Sequence, residues 1–128
     1  MNNCPFCPPY GFRAIQESES SLALYDSYPV SPGHALIVPR RHVPSWFDLL
    51  EPEQIDLLKL ANLVKGHLDL ERHPIAYNLG INDGPQAGQS IPHVHLHLIP
   101  RYAGDQVDPR GGIRLIFPEK ARYWEDGK

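Results

Sequence analysis

The chain has 128 residues, a formal net charge of -3 and a hydrophobic fraction of 41%. That length suits one domain with a core buried without disulfides, and the acidic balance argues against partners that need a basic face, namely nucleic acid and membrane surfaces. No run approaches the roughly 18 apolar residues of a spanning helix, and Met1-Asn2-Asn3-Cys4 lacks the charged start and apolar stretch of a signal peptide.

The expectation is therefore a single domain over residues 1–128, located in the cytoplasm. The two cysteines stand as Cys4-Pro5-Phe6-Cys7. In a reducing compartment that spacing suggests a metal knuckle or a redox pair more than a structural disulfide. Residues 12–17 and 22–25 read as two short strands around a polar, serine-rich turn. Ser31-Pro32-Gly33 is a turn signal, and residues 34–38 then read as a buried strand ended by Pro39. Glu51-Pro52-Glu53 opens the clearest helix, with proline in the first turn and acids at the positive end. Leu57, Leu60, Ala61, Val64 and Leu68 form its apolar face. It should end between Glu71 and His73, because Pro74 disfavours helix in the residue before it.

Residues 75–82 alternate as a strand, residues 83–90 form a loop of glycine and polar groups, and residues 92–100 are the last strong strand. The tail from Tyr102 is mostly irregular, with a short strand expected at residues 113–117. The sum is an α+β fold, an antiparallel sheet with one long helix and a short C-terminal tail.

His93-Val94-His95-Leu96-His97-Leu98-Ile99 alternates strictly. In a strand the three histidines share one face, while Val94, Leu96 and Leu98 pack into the core from the other. The outer two lie about 13 Å apart at a rise of about 3.3 Å per residue, so one metal cannot easily hold all three. A neighbouring pair can share a metal, which favours division of labour. A neutral imidazole attacks phosphorus when its other nitrogen is fixed as a donor. The central His95 is best placed for this. His97, the amide of Gln89 and the hydroxyl of Ser90 could donate hydrogen bonds to phosphate oxygens.

At this point the sequence resembles the histidine triad (HIT) family of nucleotide hydrolases and transferases. The likeness is carried by the motif at 93–99, Asp26 before Pro29, Pro32-Gly33-His34, Asn82 with Gly84, and Gly88-Gln89-Ser90. It implies that His95 is the nucleophile toward the α-phosphate of a nucleotide and His97 a phosphate-binding neighbour. It implies further that His34 is a buried histidine beside the triad, that Asn82, Gln89 and Ser90 hold phosphate or leaving group, and that Asp26 bonds the ribose hydroxyls. It also implies a structural zinc on Cys4, Cys7, His42 and His93, with no catalytic metal required. The substrate implied is a dinucleoside polyphosphate or nucleoside phosphoramidate with adenine, and the expected assembly is a homodimer. Two hypotheses of other classes stand beside this enzyme: a nucleotide-binding regulatory module with little turnover, and a metal-handling or redox protein built on Cys4 and Cys7. Pro92 and the tail Arg110-Gly111-Gly112-Ile113-Arg114 depart from the common pattern, and His67 and His73 match no family site and read as exposed helix-end residues.

Overall fold

The computed structural model describes residues 3–125. The strands are β1 (Gln16–Glu17), β2 (Ser21–Tyr25), β3 (Ala35–Pro39), β4 (Ala76–Ile81) and β5 (Leu96–Arg101), and helix α1 (Glu51–Arg72) lies between β3 and β4. They form one sheet in the order β1-β2-β3-β5-β4, with every neighbouring pair antiparallel. This is the α+β arrangement expected from the sequence. Among the described residues, no helix is long and apolar enough to cross a membrane.

Two prolines frame α1. Pro52 sits in its first turn, where the Leu50 N–H donates to the Glu53 carboxylate at 2.8 Å. The helix stops at His73, whose backbone is left-handed at φ 55° and whose N–H still reaches the Asp69 carbonyl. Leu57, Leu60, Ala61, Val64 and Leu68 face the sheet and pack with Ala23, Ile37, Leu96 and Leu98. Each leucine or valine buried there stabilises the fold by about 1.5–3 kcal/mol. Asp56 on the same helix accepts from the hydroxyls of Ser18 (2.5 Å) and Ser20 (3.0 Å), which pins the β1–β2 turn to α1.

The opposite face of the sheet carries a second cluster of Phe6, Leu22, Leu24, Leu36 and Val38. Leu36 pairs across with His97, so this face also bears the triad. Gly33 has φ +87°, and a Cβ there would meet Leu68 at 3.1 Å. Only glycine suits that turn, which delivers His34 to the start of β3.

Three expectations change. The strand expected over residues 12–17 shortens to β1, because Phe12 leaves the sheet plane to pack on the second cluster and against Tyr10. The strand expected over residues 92–100 begins only at Leu96. Pro92 has no N–H, the His93 N–H turns back to the Ile91 carbonyl (2.8 Å), and the Val94 N–H goes to Val43 (2.8 Å) instead of a ladder. Only His97 of the triad therefore lies in β5. The tail at residues 113–117 forms no strand. Gly111 and Gly112 take positive φ and start a 3-10 turn, Gly112–Ile116, closed by the Arg114 N–H on the Gly111 carbonyl (2.7 Å).

Candidate functional site

The N-terminal knuckle brings Cys4 and Cys7 against His42, just past β3, and His93. Cys7 Sγ lies 3.2 Å from His42 Nδ1, Cys4 Sγ lies 3.4 Å from His93 Nδ1, and the two Nδ1 atoms are 3.2 Å apart. A tetrahedral metal with bonds of about 2.0–2.3 Å has donor–donor edges of about 3.3–3.8 Å, so the spacing fits one ion. The protonation fits too. His93 Nε2 faces the Pro39 carbonyl at 2.8 Å, which can only accept, so the proton sits on Nε2 and the Nδ1 lone pair faces the sulfurs. Burial pushes the Cys4 thiol above its ordinary value and pushes the His93 imidazole below its own. The four side chains could hold a metal ion.

His95 is buried. Its Nδ1 lies 2.9 Å from the His93 carbonyl, so Nδ1 carries the proton and Nε2 keeps a lone pair. His93 thus serves twice: its ring joins the cluster of Cys4, Cys7 and His42, and its carbonyl sets the tautomer of the next histidine.

His97 is set by a longer relay. The Val30 N–H donates to His34 Nδ1 at 3.1 Å, which places the His34 proton on Nε2. That proton is donated to His97 Nδ1 at 2.9 Å, so His97 carries its own on Nε2. Burial, with help from the neighbouring His95 and His34, pushes the His97 pKa down to about 4, and burial also lowers that of His34 against the pull of Asp26. At neutral pH both rings are uncharged, and His97 offers an N–H. Asp26 Oδ2 lies 3.4 Å from His34 Nε2, and Oδ1 accepts the Tyr28 N–H at 2.8 Å. Asp26, His34 and His97 also bring three potential metal donors together. The Val30 N–H works against that use, because a neutral His34 cannot accept at Nδ1 and also present a lone pair at Nε2.

Beside His97 opens a cavity of about 540 Å³ lined by His34, Asn78, Gly80, Asn82 and Ile113. Gly80 pairs with His97, and the absence of a side chain there keeps the space open. Gln89 and Ser90 instead line a second hollow of about 390 Å³ with Ser45 and Asp83. In the resting loop the Gln89 amide holds the chain itself: it accepts from the Gly84 N–H (2.7 Å) and donates to the carbonyls of Pro44 (2.8 Å) and Ile91 (3.0 Å). Asn82 thus lines the cavity with His34 and His97, while Gln89 and Ser90 line the hollow beside it, in the same loop whose Gly88 lies against the Asn82 side chain (3.9 Å from a Cβ there).

A model of the HIT domain matches residues 12–104. The chain belongs to the HIT family. The bifunctional bis(5'-adenosyl)-triphosphatase/adenylylsulfatase FHIT of Arabidopsis thaliana is 44% identical over 85 residues, 66% of this chain and 47% of that protein. The bis(5'-adenosyl)-triphosphatase of Saccharomyces cerevisiae is 42% identical over 114 residues, 88% of this chain and 52% of that protein. The chain thus spans about half the length of these curated relatives. Among solved structures, a HIT family protein from Bacillus anthracis superposes with a TM-score of 0.76 at 32% identity, covering 81% of this chain and 77% of that one. A zinc-bound histidine triad family protein from Mycobacterium smegmatis does so with 0.68 at 29% identity, covering 74% and 69%.

Some parts of this HIT site have no signature in residue type. The Val30 amide and the Pro39 and His93 carbonyls are backbone groups, which any residue supplies. Asp83 accepts from the Ser45 hydroxyl (3.0 Å) and the Trp46 N–H (2.7 Å), tying the polar loop to the segment after His42. Its place beside Asn82 was the only clue.

The depressed His97 pKa carries a stability cost in acid. Between its ordinary 6.5 and about 4, the unfolded ring takes a proton that the folded one refuses. Stability is expected to fall as the pH drops through that window. Urea unfolding of His97→Asn across it should give a shallower decline than wild type.

Proposed function

We infer that this HIT protein is a nucleotide hydrolase or nucleotidyl transferase acting at the α-phosphate of dinucleoside polyphosphates or nucleoside phosphoramidates. The observation that carries the reading is the 2.9 Å contact from His95 Nδ1 to the His93 carbonyl, which leaves Nε2 as a nucleophile. His95 Nε2 attacks the α-phosphorus, an Nε2–P bond forms, and the bond to the leaving phosphate or amine breaks as that group takes a proton. Water then attacks the same phosphorus, freeing the nucleoside monophosphate and regenerating the imidazole. His97, neutral and with its proton on Nε2, donates to a non-bridging oxygen on which charge develops. His34 holds that tautomer. Asn82 and Ser90 supply further donors to the phosphates, and Asp26 takes the ribose hydroxyls. Gln89 contributes by fixing the loop, and reaches phosphate itself only if one of its backbone contacts opens. The curated relatives, named for cleaving bis(5'-adenosyl) triphosphate, support an adenine dinucleotide as substrate.

Cys4, Cys7, His42 and His93 would hold a zinc ion. Two thiolates and two imidazoles would fill all four positions of a zinc ion, which would then supply structure to the knuckle and leave the chemical step to the histidines. The zinc-bound mycobacterial neighbour supports this choice of metal. A homodimer is supported by the place of β4 at one edge of the sheet and by the exposed Ile55, Leu58 and Leu63 on α1.

With diadenosine triphosphate, His95→Ala should lose at least about 10⁴-fold in turnover while AMP still binds. Mass spectrometry of the quenched wild type should find an adenylyl group on His95. Binding without turnover in the wild type would instead point to the regulatory module. Elemental analysis should give one zinc per chain, lost in Cys7→Ser. Sedimentation should give twice the chain mass, and Leu58→Asp should yield monomer.

A further inference from the structure

We propose that Phe6 is a positioning residue for His95, through which a metal held by the Cys4–Cys7 knuckle sets the orientation of that ring. The proposal rests on the reading of His95 as nucleophile for its kinetic test only. His95 stands one residue before both ladders, whose first pairs on this side are Ile37 with Leu96 and Ile81 with Leu96. No cross-strand pair fixes it. Three contacts hold its ring: the His97 ring, with centroids 5.1 Å apart and planes at 63°, and two that come from the side of the N-terminal knuckle. One is the bond from Nδ1 to the His93 carbonyl at 2.9 Å. The other is the ring of Phe6, with centroids 5.3 Å apart and planes at 57°.

The other ring against Phe6 belongs to His93, edge-on at 5.6 Å and 83°. Phe6 is 3% exposed, so it has no freedom to swing away. It stands between the two cysteines, and its N–H points to Cys4 Sγ at 3.4 Å. The phenyl ring is wedged between a ring of the metal cluster and the ring proposed to attack. Two of the three supports of His95 lead back to that cluster, one through the Phe6 ring and one through the His93 main chain, while the third, His97, leads to His34. Imidazole χ2 is soft, so a ring left with His97 on one side and no flat neighbour on the Phe6 side turns and its Nδ1–H loses the carbonyl. Leucine at position 6 fills most of the volume but presents no flat face.

The test is a two-bond ¹H–¹⁵N spectrum of histidine-labelled protein, read beside zinc content and steady-state kinetics. Zinc-loaded wild type should show His95 with its proton on Nδ1 alone. Phe6→Leu should keep one zinc per chain and show a mixture of His95 tautomers. Its kcat with diadenosine triphosphate should fall roughly ten- to hundredfold with KM nearly unchanged. Chelation of the wild type should produce the same mixture, and added zinc should reverse it. A Phe6→Leu protein with wild-type tautomer and turnover overturns the proposal. So does metal-free wild type whose His95 signals do not change, a result that needs no variant to fold. If the wild type cleaves no nucleotide, the functional reading fails, while the tautomer spectra still decide the role of Phe6.

Discussion

The proton on His93 Nε2, held by the Pro39 carbonyl, orders the rest of the site. It turns the His93 lone pair toward Cys4 and Cys7, which lets the ring serve as a metal ligand. The ring then fixes its own residue, and the residue's carbonyl fixes the proton of His95. A backbone oxygen at the end of β3 therefore governs an imidazole two steps removed from it. Reversing that first proton would point an N–H at the sulfurs and leave the Pro39 carbonyl buried without a donor, at a cost of about 1–3 kcal/mol.

The two histidine clusters differ by one feature of the main chain. His93 meets a carbonyl on the nitrogen away from its neighbours, and His34 meets an amide. The carbonyl demands a proton and so bares the facing nitrogen. The amide supplies a proton and so forces one onto the facing nitrogen. The first arrangement suits a metal, and the second suits a chain of hydrogen bonds ending in a neutral donor at His97. Burial that lowers the His97 pKa to about 4 keeps that donor uncharged, so it adds a directed N–H without repelling a neighbouring ring.

Much of this was legible in the sequence because side-chain type carried it. The alternation of residues 93–99 placed Val94, Leu96 and Leu98 in the core correctly, although only part of that segment is strand. Alternation needs only an extended chain, whereas a ladder needs a partner, and the amides of His93 and Val94 are engaged elsewhere. Pro52 and Pro74 bounded α1 to within a residue. The family resemblance implied a cluster of Cys4, Cys7, His42 and His93, which the fold does assemble. The tail misled because Ile113 to Phe117 are apolar enough for a strand, while Gly111 and Gly112 curl the chain before any edge can receive it. Gln89 could be named but not placed, since an amide bonds loop or ligand equally well. Phe6 carried no signal, because an apolar residue between two cysteines says nothing of which rings it will touch.

The three bonds that fix protons on His93, His95 and His34 all end on the main chain, at Pro39, His93 and Val30. Main-chain groups survive almost any point mutation. Exchange of Val30 for another residue keeps the N–H unless the newcomer is proline, and a carbonyl persists whatever side chain sits above it. The protonation pattern is thus insulated from drift at its anchoring positions. Variation can accumulate around the rings without altering which nitrogen each of them presents.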